Sequence, residues 1–304
     1  MLTKITGQKR IFTIQQQNQS TTWYQHSNIS CANLVYLYKQ RNIMTKNLLK
    51  QIMIKEVETP AQIDAQELVK AIEAGYLVGR EPKHTQKKTF GPSTIAYGHG
   101  ECPRYWYLAF EGAVFEDNAD PYGVANMTNG TLSHGRIETA FKNSGISIDS
   151  EFKVFYDDPP IFGYVDNFIQ WKGDEIVVEV KTTNNEVFEY RKRTGKPKMG
   201  HVSQLLIYMK ILKKSKGVII YENKNNHELL VIPVEVNDHY RAWIDMAFQW
   251  MREVRKAWED KTLPTKNYRS NSKICKNCPI KKACGEAGVG VVKIASLEEL
   301  SEVM

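Results

Sequence analysis

The segment GYVDNFIQWKGDEIVVEVKTT, residues 163–183, constrains the fold more than any other stretch of the chain. Two runs rich in β-branched and aromatic residues flank Lys172 and Gly173, a pattern that predicts two antiparallel strands joined by a tight turn. Because side chains alternate between the two faces of a strand, Glu179 and Lys181 lie on one face and the valines beside them lie on the other. The segment therefore places charged groups on a sheet that its apolar residues help to bury.

The length of the turn decides what faces these charges. If Lys172 and Gly173 form a two-residue loop, the strand register sets Asp166 directly opposite Glu179. A turn shifted by one residue pairs Asp166 with Lys181 instead and still leaves all three charged side chains on one face. A three-residue loop would separate them.

Opposed carboxylates in a sheet indicate a cation. Their β-carbons lie roughly 5 Å apart, and like charges at that separation are destabilising unless a cation lies between them. Magnesium and manganese prefer oxygen ligands, polarise a phosphoryl oxygen and lower the pKa of bound water. Lys181 could then stabilise the charge that develops on a phosphoryl group. The alternative is a solvated edge hairpin in which Lys181 and Asp166 form an ordinary salt bridge.

The rest of the globular region alternates between helical and strand patterns. Thr59 followed by Pro60 predicts a helix start, with Gly75 as its stop. Periodicity downstream predicts a helix at 200–215, strands at 216–223 and 228–236, and a long amphipathic helix at 238–260. Helices before and after a run of strands predict one α/β domain with a mixed central sheet.

Charge is unevenly distributed along the 304 residues, whose formal net charge is +7. The first fifty-five residues contain eight Lys or Arg and no Asp or Glu, which predicts a poorly ordered basic leader, 1–55. A transit peptide, or a translation start at Met44 or Met53, are the alternatives. No apolar run approaches the length of about eighteen residues that a membrane span needs. We therefore expect a cytoplasmic protein without membrane association.

Basic residues also cluster near the proposed site. Lys and Arg contacts to phosphates supply most sequence-independent affinity for nucleic acids, so these clusters predict a DNA path, with solubility as the alternative explanation. One cluster is RKRTGKPK and the other is the acid-free segment 261–284, and the candidate DNA-binding residues are Arg191, Lys192, Arg193, Lys273 and Lys276.

Three of the five cysteines lie within CKNCPIKKAC, residues 275–284. In an intracellular chain this spacing indicates metal binding rather than disulfides. Cys102 lies far upstream in an aromatic segment that predicts a helix. Four thiolates can hold either a zinc ion or an iron–sulfur cluster. Cys31 falls in the basic leader, and we expect it to take no part.

The hairpin motif resembles the core of the PD-(D/E)xK nucleases, with Gly163 and Asp166 on one strand and Glu179-Val180-Lys181 on the next. Tyrosine and valine stand where the short motif name has proline. An upstream helical histidine and a downstream Gln-x-x-x-Tyr element are similar to those of the RecB-like branch. The cysteine spacing resembles the four-cysteine staple of AddB and of the Cas-four family of CRISPR-associated exonucleases.

This resemblance implies a restriction-endonuclease-like α/β fold over residues 56–290, followed by a tail at 291–304, with the cysteine cluster tied to an N-terminal helix. It implies magnesium or manganese held by His134, Asp166, Glu179 and the main-chain carbonyl of Val180. It assigns catalytic roles to Asp166, Glu179, Lys181, Gln204 and Tyr208. It also implies a four-iron four-sulfur cluster on Cys102, Cys275, Cys278 and Cys284, with zinc as the alternative.

The implied activity is a metal-dependent exonuclease acting on single-stranded DNA ends, with partners in recombination, repair or CRISPR adaptation. Two alternatives remain open at this point. One is a non-catalytic iron–sulfur accessory protein that binds nucleic acid, and the other is a restriction-type endonuclease.

Overall fold

The computed structural model describes residues 63–80, 83–84 and 86–302. The chain divides into two units, Met1–Asp64 and Ala65–Met304, and the second unit contains the predicted site. The basic leader, Cys31 and the predicted helix start at Thr59 lie outside the described residues.

The described part of the second unit is α/β. Its helices are α1 (Ala65–Leu77), α2 (Pro92–Ile95), α3 (Pro103–Phe110), α4 (Pro121–Asn143), α5 (Asn185–Thr194), α6 (Met199–Ile211), α7 (Asp238–Glu259), α8 (Lys273–Lys276), α9 (Lys281–Glu286) and α10 (Leu297–Glu302), with a 3-10 turn at Gly98–Glu101. Its strands are β1 (Lys83–His84), β2 (Val114–Phe115), β3 (Ser147–Tyr156), β4 (Ile161–Trp171), β5 (Asp174–Thr183), β6 (Lys216–Asn223) and β7 (Leu229–Glu235).

The central sheet has five strands in the order β3-β4-β5-β6-β7. The β5–β6 pair is parallel, and the other three pairs are antiparallel. A parallel pair requires a crossover, which α5 and α6 supply. The predicted α/β class with a mixed central sheet flanked by helices is confirmed, and this arrangement is consistent with a restriction-endonuclease-like fold.

The β4–β5 turn has the two-residue length that sets Asp166 opposite Glu179. Trp171 pairs with Asp174, so Lys172 and Gly173 alone form the loop. Their φ angles are +50° and +91°, and positive φ at both positions defines the type I′ turn that suits the twist of a hairpin. The first of the two predicted registers is therefore confirmed.

Helices cover both faces of the sheet. On one face, Ile137 of α4 packs against Val178 and Val180 of β5. On the other face, the larger core includes Val177 of β5 and residues of α3, α6 and α7. The two faces of β5 thus bury alternate residues, as the sequence pattern predicts, and Glu179 is the charged exception on the α6 side.

The first helix runs further than predicted. Helix α1 passes through Gly75 and ends at Leu77, so the stop predicted at Gly75 is wrong. Gly79, at φ +76°, adopts the left-handed conformation that terminates helices. Within the described ranges, no helix combines the length and the apolar character that crossing a membrane requires.

The C-terminal segment packs back onto the domain through buried Arg104 on α3. Its guanidinium is 1% exposed and donates to the carbonyl oxygens of Pro264 at 2.9 Å, Cys284 at 3.4 Å and Gly288 at 2.6 Å. One side chain thus satisfies three backbone acceptors of a segment that has little regular structure. Residues 291–302, predicted to form a tail, contribute buried Leu297 to the core.

We expect Arg104→Met to lower the free energy of unfolding by about 2–4 kcal/mol, because it leaves three buried carbonyl groups without a donor. Urea denaturation followed by circular dichroism measures the effect. The matched control is Arg241→Met, which removes an exposed guanidinium paired with Asp238 across one helical turn and should cost no more than about 0.5 kcal/mol. Equal losses in the two variants would contradict the tethering role of Arg104.

Candidate active site

The predicted site residues lie on four elements of the domain. His134 lies on α4, Asp166 on β4 and Glu179 with Lys181 on β5. Gln204 lies on α6 with Tyr208, one turn further along the helix.

Asp166 occupies the point where β4 and β5 separate. Backbone pairing between these strands ends at Asn167 and Val178. The Val180 N–H therefore has no backbone partner on β4. It donates instead to the side chain of Asp166, at Oδ2, over 2.7 Å. The carboxylate accepts the hydrogen bond that a backbone carbonyl of the neighbouring strand would otherwise accept, so a buried backbone donor stays satisfied. This contact holds the acid in place and leaves its other oxygen available.

Glu179 is fully buried, and Lys181 is its neighbour on the same face. Glu179 Oε1 forms an ion pair with Lys181 Nζ, and Oε2 has no hydrogen-bond partner among the described residues. Burial and then the nearby Asp166 carboxylate raise the pKa of Glu179. Burial alone would lower the pKa of Lys181, but Glu179 and Asp166 outweigh it, so the net shift is upward.

Glu151 on β3 joins the site, although the sequence analysis did not identify it. His134 Nδ1 lies 3.6 Å from Asp166 Oδ1 and 3.8 Å from Glu151 Oε1. One ligand atom from each of these three residues lies within 4.8 Å of the other two. Burial and the Asp166 charge raise the pKa of Glu151. The structure thus provides a third carboxylate at the solvent side of the site.

The local sequence gives little sign of Glu151. The neighbouring pairs Ser150–Asn167 and Phe152–Val165 place it level with Asp166, and its φ of +48° is in the left-handed region. A non-glycine residue rarely adopts this conformation, so no propensity rule anticipates it. Locating the β3–β4 turn at residues 157–160 would have revealed the pairing.

Gln204 and Tyr208 line the apolar side of the site. Both are buried, and the Tyr208 hydroxyl is hydrogen-bonded to Gln204 and to the backbone of Tyr164. Burial strongly raises the pKa of Tyr208, so its hydroxyl stays protonated at neutral pH. Tyr208 and Trp106 are buried core aromatics rather than exposed stacking platforms.

The four cysteines that were predicted to bind a metal or a cluster line one cavity of about 210 Å³. They are Cys102, Cys275, Cys278 and Cys284. Burial and then the neighbouring cysteines raise the pKa of Cys102 to about 11 and that of Cys278 to about 12. In the described part of the chain, no three cysteine sulfurs lie within 4.8 Å of one another. The thiols therefore surround a space rather than meeting at a point.

The candidate DNA-binding residues differ in their surroundings. Arg191 stacks over the Tyr221 ring, with its guanidinium carbon 4.6 Å from the ring centroid. Lys192 Nζ is paired with Glu228 at 2.6 Å. The side chains of Arg193, Lys273 and Lys276 are exposed.

No protein-family model matches the sequence, and no curated protein is significantly similar to it. Solved structures that are similar to the chain at low identity include the following three. SSO0001 has 16% identity and a TM-score of 0.38, covering 75% of this chain and 97% of its own. An alkaline exonuclease from Laribacter hongkongensis, LHK-Exo, has 15% identity and a TM-score of 0.44, covering 63% and 95%. Its complex with dAMP has 16% identity and a TM-score of 0.43, with the same coverage.

We expect Gly163→Ala to displace Tyr208, because an added β-carbon would lie 2.7 Å from the Tyr208 hydroxyl and 2.9 Å from its ring. Overpacking of this kind costs about 1–3 kcal/mol, which thermal unfolding measures. Adding Tyr208→Phe removes the closest clashing atom and should recover part of the loss.

Gly130→Ala is the control for this substitution, because a β-carbon there would meet only Thr182 Oγ1, at 3.9 Å. Alanine inside α4 should raise stability, by up to about 1 kcal/mol. A neutral Gly163→Ala would show that Gly163 is not required by the packing of Tyr208.

Proposed function

We propose that the protein is a metal-dependent deoxyribonuclease that hydrolyses phosphodiester bonds. The observation that carries this proposal is the buried carboxylate of Glu179, which has Lys181 as its ion-pair partner, beside Asp166 at the seam of two strands. The PD-(D/E)xK motif, which the same residues resemble, supports the proposal.

The charge of the site favours a divalent cation. Three carboxylates, from Glu151, Asp166 and Glu179, lie near one ammonium, from Lys181. Burial and then the Asp166 charge raise the pKa values of Glu151 and Glu179. A cation relieves this repulsion by supplying the charge that the protein lacks. Oxygen donors with one imidazole suit magnesium or manganese. The residues present therefore fit the metal that the motif implies.

Each residue has a role that its position supports. His134, Asp166, Glu179 and the main-chain carbonyl of Val180 would hold magnesium or manganese, and we add Glu151 to this set. A divalent ion bound there supplies a Lewis acid that draws charge from the phosphoryl oxygens and acidifies water.

The remaining residues orient the reactants. The Lys181 ammonium, held beside Glu179, is placed to orient the attacking water and to stabilise charge on the phosphoryl oxygens. Gln204 and Tyr208 position the catalytic face of β5 and exclude water from its inner side.

The cysteines favour an iron–sulfur cluster over zinc. Because each Zn–S bond is about 2.3 Å, the sulfurs of a tetrahedral zinc site lie roughly 3.8 Å apart. Among the described residues the four cysteines do not form a single-ion ligand group, and they line a cavity of about 210 Å³, which favours a larger four-iron four-sulfur cluster. We propose that Cys102, Cys275, Cys278 and Cys284 hold such a cluster, which links the C-terminal segment to α3.

We further propose single-stranded DNA ends as substrate, in a process of recombination, repair or CRISPR adaptation inside the cytoplasm. A non-catalytic accessory protein has no use for a buried carboxylate beside a lysine, which favours the enzyme. A restriction-type endonuclease would cleave circular DNA, whereas an exonuclease requires a free end, so the two substrates distinguish these activities.

We expect Asp166→Asn and Lys181→Met each to reduce the hydrolysis of end-labelled linear DNA by about 100-fold or more, because each removes charge from the reacting centre. A chelator should abolish wild-type activity, and magnesium or manganese should restore it. Rates are measured on single-stranded, double-stranded and circular DNA.

The matched controls lie on the same hairpin. Asp174→Asn changes an exposed acid paired with Lys216, and Lys172→Met changes a lysine of the turn. Both should retain near wild-type rates. Equal activity in all four variants and the wild type would refute the site, and chelator-resistant hydrolysis would refute the metal.

We expect anaerobically purified protein to contain about four iron atoms per chain and to absorb in the visible range. Cys102→Ser and Cys278→Ser should lose both signals, while Cys31→Ser should retain them. Stoichiometric zinc without iron in the wild type would overturn the cluster assignment, whatever the nuclease assays show.

A further inference from the structure

A group of cations lies beside Lys181 in the connection between α5 and α6. Lys181 and Tyr221 are paired in the parallel register of β5 and β6, so Tyr221 lies next to the proposed catalytic lysine. Arg191, near the end of α5, stacks on the Tyr221 ring. Lys198, the residue before α6, donates its backbone N–H to the Tyr221 hydroxyl at 3.1 Å. The Lys198 Nζ lies 5.4 Å from the centroid of the Tyr97 ring. Burial and then the charges of Arg191 and Lys181 lower the pKa of Lys198, so cations from three separate elements lie close enough to interact.

Tyr221 and His201 fix the geometry of this group. His201 Nδ1 lies 2.9 Å from the Tyr221 hydroxyl, and Tyr221 is 1% exposed. Arg191 Nη1 also donates to the carbonyl of Lys196, at 3.4 Å. A guanidinium stacked on a buried ring is held in orientation and retains donors for a planar or tetrahedral anion.

The imidazole of His201 reports the local field. Burial and then the positive charges of Lys181, Lys198 and Arg191 lower the pKa of His201 to about 3. His201 is therefore neutral at pH 7 and serves as a hydrogen-bonding support. Burial disfavours a charge of either sign there, but the three nearby cations favour a negative charge over a positive one.

Carboxylates do not neutralise Arg191 and Lys198. Neither residue forms an ion pair with an acid in the described part of the chain. The acid that acts on Lys198 is Glu101, and burial together with the charge of Glu298 raises the pKa of Glu101 to about 7. Glu101 is thus only partly ionised at neutral pH, so the group retains net positive charge.

We propose that Arg191 and Lys198 form a phosphate-binding subsite that holds a DNA backbone phosphate next to the one being hydrolysed. The proposal deepens the proposed function and rests on it. A phosphate there would position the strand so that the scissile phosphate meets Lys181. The proposal includes Arg191 and not its neighbour Lys192, because Glu228 already compensates the charge of Lys192.

The test combines protein variants with substrates that lack one charge. Single-stranded oligonucleotides carry one neutral methylphosphonate linkage, moved stepwise from the end, and hydrolysis is measured at several substrate concentrations. In the wild type, one linkage other than the scissile one should raise KM about tenfold. On unmodified DNA, Arg191→Gln and Lys198→Gln should each raise KM to about the value that the wild type shows with the modified linkage, with little change in kcat. In these variants the modified linkage should have no further effect.

The control is Lys256→Gln, which removes an exposed charge from α7, 3.1 Å from Asp260. It should keep the wild-type sensitivity to the modified linkage. The slope of log affinity against log salt should fall by about one for Arg191→Gln and for Lys198→Gln, but not for the control.

Binding of the same oligonucleotides without divalent metal separates the two proposals. If the wild type hydrolyses no DNA but Arg191→Gln loses affinity for one phosphate only, the nuclease proposal fails and the subsite stands. If the wild type is active and both variants remain as sensitive to each linkage as Lys256→Gln, the subsite is refuted and the nuclease stands.

Discussion

The site depends on the register of one hairpin. Positive φ angles at Lys172 and Gly173 suit a β4–β5 loop of two residues, and a third loop residue would put Asp166 and Glu179 on opposite faces of the sheet. The strands then separate just beyond the last pair, and the Asp166 carboxylate accepts the Val180 N–H. A hydrogen bond to the backbone thus places an acid inside a sheet without leaving a donor unsatisfied.

The surrounding core keeps this arrangement dry and rigid. Helix α4 covers one face of β5, and α6 covers the other with Tyr208 and its neighbours. In such a low-dielectric environment, an acid with one ion-pair partner is costly until a cation joins it. The parallel neighbour of β5 carries Tyr221 opposite Lys181, and through that ring the basic connection between α5 and α6 reaches the same site.

Arg104 connects the cysteine cavity to the rest of the domain. Cys102 immediately precedes α3, and two residues later Arg104 donates to the backbone of the segment that carries the other three cysteines. Trp106 Nε1 donates to the Gly100 carbonyl at 2.7 Å, which secures the turn before Cys102. The Cys-Pro-Arg sequence therefore combines a proposed cluster ligand, a helix start and a tether in three consecutive residues.

The spacing of residues in the sequence was enough to predict the elements whose pairing partners are close in sequence. Turn length and alternation predicted the two-residue loop and the register that sets Asp166 level with Glu179, because a hairpin register follows from local backbone geometry. Periodicity likewise located α6, α7 and the strands between them. Tertiary structure decided the rest. Glu151 enters the site through a left-handed residue on another strand, and Arg104 and Lys198 acquire their roles from segments far along the chain. Such contacts depend on how whole elements pack, which no local pattern encodes.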